Sequence, residues 1–313
     1  MRAALCTEHG PPEVVRVEDL PDPAAGDGEV RIAVDVASVN FPDVLLVAGT
    51  YQIPVAPPFV PGSEVAGTVV EVGAGVDHVA VGDEVVGTGL VGAFAEQVVL
   101  GAHAVRPRPA GMGADVAAAS GVTYRTAFHV LRSVARLQPG EQLVVLGAGG
   151  GVGSAAVELG VHLGAVVTAV ASSDAKLDLA RTLGATHLIR SGGHGSPPAV
   201  TSVPQKLREG LRAVAPGGVD VVVDPVGGQL SEPALRSCRW GARFVTVGFA
   251  SGEIPRIPLN LVLLKGVQVL GFQFIDFATH APDELARNEA ELAELLAAGQ
   301  VRPHIGARFP LDR

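Results

Sequence analysis

The run Gly147-Ala148-Gly149-Gly150-Gly151-Val152-Gly153 is the stretch of the chain whose residue types most directly predict ligand binding. Its glycines have the spacing G-x-x-G-x-x-G, which differs from the commoner G-x-G-x-x-G of dinucleotide-binding turns. Glycine lets a pyrophosphate approach the backbone, because no side chain separates the two. The free N–H groups at a helix start would then hold the phosphates. An ordinary tight turn has the same composition, so the flanking residues decide between the two interpretations.

The residues on either side of this turn favour the nucleotide interpretation. Before it, the apolar run Leu143–Leu146 is typical of a buried parallel strand. After it, apolar residues recur at helical spacing within Ser154–Gly164. Strand, turn and helix in this order are the context of a dinucleotide-binding fold. The residues predicted to contact the phosphates are Gly147, Gly150, Gly151, Val152 and Gly153.

The next predicted strand, Val166–Val170, indicates which dinucleotide is preferred. An NAD-binding fold usually carries Asp or Glu at the tip of this strand, to bond the ribose 2′-hydroxyl, and the tip here is Ala171. Two hydroxyls and a cation follow, from Ser172, Ser173 and Lys176. These residues favour NADPH, whose 2′-phosphate a carboxylate would repel. NADH remains the alternative, because Asp174 also follows and Lys176 is equally expected as a solvated helix residue.

The amino-acid composition excludes several classes of protein. A chain of 313 residues with 48% hydrophobic and 18% charged residues is long enough for two globular domains. The net charge of −9 argues against a nucleic-acid partner, which would require a basic face. Cys6 and Cys238 provide no disulfide framework, which favours a reducing, cytoplasmic location. No stretch reaches the roughly 20 apolar residues of a membrane span, so no membrane partner is expected.

The pattern of apolar residues predicts two kinds of architecture. Residues 1–120 contain short strands with glycine turns, typical of a compact antiparallel barrel. From residue 121 onward, strands alternate with helices, which predicts a parallel doubly wound sheet. Ser191–Pro204 is rich in Gly, Ser and Pro and is predicted to be a loop. Pro282–Ala298 is predicted to be an amphipathic helix, and Gln300–Leu311 a strand or an extended tail.

Several segments together resemble the medium-chain dehydrogenase/reductase superfamily, in its zinc-free quinone oxidoreductase (zeta-crystallin-like) branch. Asn40-Phe41-Pro42-Asp43 resembles the "N-x-x-D" segment of that branch, and Phe59-Val60-Pro61-Gly62-Ser63-Glu64-Val65-Ala66-Gly67 resembles its "P-x-x-x-G-x-E-x-x-G" segment. The remaining matches are Val81–Gly87, Gly121–Ala127, Asp224–Gly228 and Leu259–Leu261. The resemblance implies a GroES-like β-barrel catalytic domain over residues 1–120 and a Rossmann NADPH-binding domain over 121–265. It also implies that residues 266–313 return to the catalytic domain, with the C-terminal helix packed on the N-terminal half.

The positions that bind zinc in relatives predict that no metal is bound here. Zinc-dependent relatives carry a Cys near the Asn40 segment and a His at the position of Ser63. They also have a four-cysteine lobe after the barrel turn, whereas this chain passes directly from Gly87 to Phe94. A catalytic zinc site needs about three protein ligands, and the sequence does not supply them at these positions.

A hydride-transfer site without a metal ion favours a hydride acceptor that needs little stabilisation from a Lewis acid. Quinones and other α,β-unsaturated carbonyls delocalise the negative charge that arrives with hydride, whereas an alkoxide requires stronger stabilisation. The resemblance places Asn40 and Tyr51 near the nicotinamide, where Asn40 would donate a hydrogen bond to the acceptor oxygen and Tyr51 would stack or donate a proton. Each residue is equally compatible with a structural role, and Asp43 is expected to orient a neighbour. The alternatives are an enoyl-thioester reductase, acting on acyl-CoA or carrier-bound substrates, and a non-catalytic NADPH-binding protein.

The resemblance implies further cofactor contacts and a homodimer. Arg190 takes the place of a Tyr that contacts the 2′-phosphate in many relatives. The other implied contacts are Thr123, Gly248, Phe249, Ala250, Asn260 and Phe272. A homodimer is expected through the apolar strand Val267–Leu270, because an unpaired apolar edge invites aggregation.

Overall fold

The chain forms two units in a computed structural model that describes residues 1–192 and 202–313. The first unit comprises Met1–Val122 and Arg302–Arg313, and the second comprises Thr123–Val301. The predicted loop Ser191–Pro204 lies largely outside the described residues, since 193–201 are not among them. In the described ranges no helix is long and apolar enough to cross a membrane.

The first unit is built on a five-stranded antiparallel sheet with the order β6-β3-β4-β5-β7. Alternating residues of β3 and β4, among them Ile32 and Val65, point into one apolar core. Two register shifts between β3 and β4 bend this pair, as bulges do, and the sheet curls into a half-barrel. A separate hairpin consists of β1 and β2. The elements are β1 Arg2–Cys6, β2 Val15–Asp19, β3 Glu29–Ala37, α1 Phe41–Val47, β4 Glu64–Val72, β5 Glu84–Thr88, β6 Gln97–Gly101, β7 Val105–Pro107 and α2 Ala114–Ala118.

The second unit contains a six-stranded parallel sheet with the order β10-β9-β8-β11-β12-β13. Every residue of β11 is buried, as expected for a central strand covered by helices on both faces. The order of the strands reverses at β8, which is the switch point where α/β proteins bind ligands. The strands are β8 Gln142–Leu146, β9 Val166–Ala171, β10 His187–Arg190, β11 Val219–Asp224, β12 Cys238–Thr246 and β13 Gln268–Gly271. The helices are α3 Thr123–His129, α4 Gly151–His162, α5 Asp174–Thr182, α6 Val203–Val214, α7 Ser231–Ser237, α8 Leu259–Lys265, α9 Phe274–His280 and α10 Pro282–Ala297. The predicted fold class, a GroES-like antiparallel unit with a Rossmann-type parallel sheet, is confirmed.

The last part of the chain is divided differently from the sequence prediction. Residues 266–301 belong to the second unit, and only Arg302–Arg313 joins the first. The reason is that β13 pairs in parallel with β12 and α10 packs against α3. A buried polar network joins those two helices. His129 Nδ1 lies 3.0 Å from Asn288 Nδ2, which in turn donates to Ser133 Oγ at 2.7 Å.

Candidate functional site

The glycine turn leaves the start of α4 open to a ligand. Gly150 precedes the helix in an extended conformation and, as a glycine, supplies no side-chain cap to the first N–H groups. Gly150 N donates to Gly147 O at 2.9 Å, and Gly147 has a φ of 66°, which closes the turn directly after β8. A helix start of this kind presents unpaired N–H groups and a positive dipole end, both of which favour phosphate.

Close contacts around the turn explain its glycines. A Cβ atom at Gly153 would overlap the carbonyl oxygen of Gly147. One at Gly151 would lie 2.7 Å from Thr123 Cγ2, and one at Gly149 would lie 2.5 Å from Lys176 Cβ. The structure therefore places the predicted residues Thr123 and Lys176 against the turn. Val226, which the sequence reasoning did not single out, also lies there, 2.5 Å from the position of a Cβ at Gly147.

The residues predicted to bind a 2′-phosphate gather at the ends of β9 and β10. Lys176 Nζ lies 3.5 Å from Ser172 Oγ. Ser173 is the N-cap of α5, and its Oγ accepts from Lys176 N at 3.4 Å. Arg190, the last residue of β10, forms an exposed ion pair with Asp174 at 2.9 Å. The charge of Asp174 thus offsets part of the positive charge that the sequence predicts for this corner.

The remaining predicted cofactor contacts are more scattered. Gly248, Phe249 and Ala250 follow β12, at the same carboxyl edge of the sheet as the glycine turn. Asn260 lies in the exposed first turn of α8. Phe272 packs with aromatic neighbours, its ring centroid 6.4 Å from that of His129 and 5.6 Å from that of Phe277. These contacts give Phe272 a place in the packing of α3 and α9.

In the first unit, two buried carboxylates hold Asn40, the residue that precedes α1. Asp43 Oδ2 accepts from the backbone N of Asn40 at 2.7 Å, which stabilises the start of the helix. Glu64, on β4 and 1% exposed, accepts from Asn40 Nδ2 through Oε1 at 2.7 Å. Its other oxygen, Oε2, accepts from Val122 N at 2.6 Å. Asp43 therefore orients a neighbour as expected, and Glu64 is a partner of Asn40 that the sequence reasoning did not identify.

Burial makes both carboxyl groups weaker acids than usual. Desolvation raises the pKa of Glu64 to about 7, although the hydrogen bonds from Asn40, Ser38 and Val122 oppose this rise. Desolvation likewise raises the pKa of Asp43 to about 6. The Ser63 hydroxyl opposes the rise in the pKa of Asp43, although within the described chain neither Asp43 Oδ1 nor Ser63 Oγ forms a hydrogen bond of good geometry. The cluster therefore holds two acids that change charge close to neutral pH.

Tyr51 lies in the same unit, half-buried beside Leu46, Val47 and Phe59. Burial raises the pKa of its hydroxyl, and the charge of Asp43 adds to the effect. As for metal ligands, no group of three His, Cys, Asp or Glu residues in the described ranges is arranged to hold an ion. Metal independence remains a prediction from the sequence.

Comparison with known proteins identifies similar chains over the whole length. Residues 26–110 match the family model of the alcohol dehydrogenase GroES-like domain, and residues 151–292 match that of the zinc-binding dehydrogenase. The chain is 35% identical over 319 residues to mouse (Mus musculus) quinone oxidoreductase-like protein 2, covering 100% of this chain and 86% of that one. It is 37% identical over 295 residues to the spectinabilin polyketide synthase system protein NorB of Streptomyces orinoci, covering 92% of this chain and 12% of NorB. A solved quinone oxidoreductase from Thermus thermophilus, also studied as its NADPH complex, has a TM-score of 0.81 and 31% identity, with 99% and 92% of the chains covered.

The buried position of Asp43 predicts a pH-dependent stability difference in Asp43→Asn. Because the pKa of Asp43 is raised from 3.8 to about 6, its stabilising contribution is complete below pH ~4 and is lost as the pH rises through 6. Asparagine does not ionise. The free energy of unfolding of the variant, relative to the parent, should therefore increase by about 3 kcal/mol between pH ~4 and ~7.5 in urea titrations.

Asp83→Asn is the matched control, because exposed Asp83 also accepts one backbone N–H, from Ala80 at 2.8 Å. If the two variants show the same dependence on pH, burial is not its cause.

Proposed function

Because the chain belongs to the quinone oxidoreductase-like branch of the medium-chain dehydrogenase/reductase superfamily, we propose that it is a zinc-independent reductase. In this proposal it transfers hydride from NADPH to a quinone or another α,β-unsaturated carbonyl. The observation that carries the proposal is the open glycine turn at the start of α4, with Lys176 packed against it. The NADPH complex of the related Thermus enzyme supports the choice of cofactor.

The residues present fit a dinucleotide. The overlap at Gly153 requires a turn without side chains, which leaves the N–H groups of α4 accessible to a pyrophosphate. NADPH, when bound, would supply the hydride. The residues proposed to hold its pyrophosphate are Gly147, Gly150, Gly151, Val152 and Gly153. Those proposed for the 2′-phosphate are Ser172, Ser173, Lys176 and Arg190, and those for the rest of the cofactor are Thr123, Gly248, Phe249, Ala250, Asn260 and Phe272.

We expect Lys176→Ala to weaken NADPH binding about tenfold and NADH binding much less, because one charge-assisted hydrogen bond contributes roughly 1.5 kcal/mol. Fluorescence titration with each cofactor measures the two dissociation constants. Arg181→Ala, which removes a cation from the far end of the same helix, is the control. Equal losses for both cofactors, or tighter NADH binding by the parent, would show that the corner does not select a 2′-phosphate.

We propose that Asn40 and Tyr51 act on the acceptor. The Asn40 amide is a neutral hydrogen-bonding group whose position two carboxylates fix. Tyr51 carries a hydroxyl that burial keeps protonated, so it can donate a proton or a hydrogen bond. For an acceptor that delocalises its charge, positioning and exclusion of water are the main contributions of the protein.

The expected effect of Asn40→Ala is a slower hydride transfer, by up to the roughly 2–4 kcal/mol of one lost oxyanion partner. Tyr51→Phe should slow hydride transfer to quinones less than Asn40→Ala does, because the products of quinone reduction take protons from water. Stopped-flow oxidation of NADPH, with added chelator, measures transfer to a panel of quinones and enones, and a parallel titration follows cofactor affinity. Unchanged transfer in both variants would remove these residues from the mechanism, and activity lost to the chelator would refute zinc independence.

A second candidate function is reduction of enoyl thioesters, which the similarity to a polyketide synthase protein favours. Crotonyl-CoA therefore belongs in the substrate panel. Faster turnover of crotonyl-CoA than of any quinone would establish this alternative. NADPH binding without oxidation by any acceptor would instead support a non-catalytic protein.

We also propose a cytoplasmic homodimer that pairs through β13. One edge of this strand bonds to β12, and no other described strand covers the opposite edge. Exposed apolar side chains occur on β13 itself, at Val269, and on the elements that precede it, at Leu263 of α8 (81%) and Trp240 of β12 (82%). A second copy of the chain would cover this apolar edge by continuing the sheet. Cys6 and Cys238 are buried free thiols, in keeping with a reducing compartment.

Val269→Lys should convert the dimer to a monomer, because a charge on exposed Val269 of β13 would face its symmetry mate. Light scattering at micromolar concentration measures the mass. Val81→Lys, at a more exposed valine of the first unit, should remain dimeric. A parent that is already monomeric would rule out the dimer.

A further inference from the structure

The carboxyl group of Glu64 is placed to control the orientation of the Asn40 side chain. We propose that Glu64 is a positioning residue whose proton decides whether the Asn40 amide offers its oxygen or its N–H groups to the acceptor. The inference rests on the proposed function, in which Asn40 contacts that acceptor. It concerns a protonation-dependent change in one side chain of the first unit.

The two oxygens of Glu64 are not equally placed to take up a proton. Oε2 accepts from the backbone N–H of Val122 at 2.6 Å, and a backbone donor cannot turn away. Gly121 allows this close approach, because a Cβ there would lie 2.5 Å from Oε2. A carbonyl-type oxygen accepts this bond better than a hydroxyl oxygen does, so an added proton is favoured on Oε1.

The partner of Oε1 is the amide of Asn40. That oxygen faces Asn40 Nδ2 at 2.7 Å, and an ionised carboxylate accepts this N–H. A protonated Oε1 would set two donors against each other, which is unfavourable in a buried site. A half-turn of the amide about its last side-chain torsion, which is broad and nearly two-fold, replaces Nδ2 by Oδ1. The new O–H then donates to Oδ1, and the N–H groups take the place that the oxygen had.

The amide can turn while the backbone stays in place. Asp43 Oδ2 holds Asn40 N at 2.7 Å, at the first turn of α1. Asn40 itself is buried, so the end of its amide that faces Glu64 needs a complementary protein partner in either orientation. The contact of Nδ2 with Ser38 O is long, at 3.5 Å, and gives little resistance to the turn.

The surroundings of Glu64 place this change near neutral pH. Its pKa is raised to about 7, first by burial and further by the charge of Asp43 from α1. The hydroxyl of Ser38, which follows β3, opposes the rise. From β5 the residue opposite Glu64 is Thr88, and α2 contributes Ala117 and Ala118 to the neighbouring core. Below about pH 7 the amide would therefore present N–H donors, which stabilise negative charge on an acceptor oxygen.

Glu64→Gln separates this inference from a purely structural role. The glutamine oxygen must accept from Val122 N, so its NH₂ group faces Asn40 and holds the amide in the donor orientation at every pH. Hydride transfer in the parent should fall as the pH rises through about 7. In Glu64→Gln it should stay at the low-pH rate. Asp43→Asn retains Glu64, so its rate of hydride transfer should still fall with rising pH. The fall should occur at lower pH than in the parent, because one neighbouring negative charge is gone.

A second measurement is independent of activity. Asn40, Asn260 and Asn288 are the asparagines of the chain, so selective ¹⁵N labelling gives few side-chain NH₂ signals, and Asn40→Ala assigns the relevant pair. In the parent without cofactor we expect the Asn40 signals to shift with a midpoint near pH 7. Exposed Asn260 serves as the reference. In Glu64→Gln this shift should be absent, and in Ser38→Ala it should persist.

The outcomes distinguish the two proposals. Asn40 signals that do not change between pH ~5.5 and ~8.5 in the parent would overturn the inference without any need for a variant. Loss of the shift in Ser38→Ala would also overturn it, because the Ser38 hydroxyl, and not the Asn40 amide, would then be the partner that responds to the proton on Glu64. A titrating Asn40 amide in a protein that reduces no acceptor would leave the control by Glu64 intact and refute the proposed function.

Discussion

The close packing of Gly153 on the carbonyl group of Gly147 is the constraint on which the second unit depends. Any side chain at residue 153 would overlap that oxygen, so β8 and α4 can be joined this tightly only through glycine. The same joint brings Thr123 and Lys176 against the turn and leaves the first N–H groups of α4 without a side-chain cap. Anion binding at this edge is thus a consequence of how strand and helix must be packed.

The first unit depends on a different and more costly arrangement. Removing a carboxylate from water costs several kcal/mol, and hydrogen bonds offset only part of that cost. Here two carboxylates surround one asparagine, and one oxygen of Asp43 lies buried without a hydrogen bond of good geometry in the described chain. An apolar cluster of similar volume would be easier to stabilise. The polar cluster instead fixes both the backbone and the amide of Asn40, which an apolar cluster cannot do.

Sequence patterns were sufficient for elements that are buried on both faces. β8 is a mainly apolar run between glycines, and β11 is a valine-rich run that follows Gly218; such runs leave few alternatives to a central strand. Helix starts were less predictable, since α4 begins at Gly151 and not at Ser154, because tertiary packing overrides the low helix propensity of glycine. The division at Arg302 depends on contacts between His129 and Asn288, which lie 159 residues apart and follow no periodic pattern.

In the candidate site, too, contacts between residues close in sequence were predictable and contacts between distant residues were not. The spacing of Asn40 and Asp43 is that of a capping box, so their contact is legible in the sequence. The bond from Asn40 to Glu64 spans 24 residues and depends on where the fold places the first residue of β4, which no local pattern encodes. The acidity of Glu64 is a property of burial, and burial is a result of the complete fold. Sequence reasoning could therefore nominate Asn40 but could not identify the group that orients it.

The strength of the donor at Asn40 bears on the class of acceptor that the site can serve. A neutral amide stabilises much less charge than a metal ion does, so it suits an acceptor that spreads the charge of the arriving hydride over a conjugated system. A localised alkoxide would need a stronger partner. If the proton on Glu64 sets the orientation of the Asn40 amide, the same side chain has two uses. Its N–H groups would stabilise an oxyanion when Glu64 is protonated, and its oxygen would accept from a hydroxyl product when Glu64 is ionised. The charge of Glu64 would in that case decide whether the site stabilises the bound oxyanion or the bound hydroxyl product, and the change between the two would lie near the pH at which Glu64 changes charge.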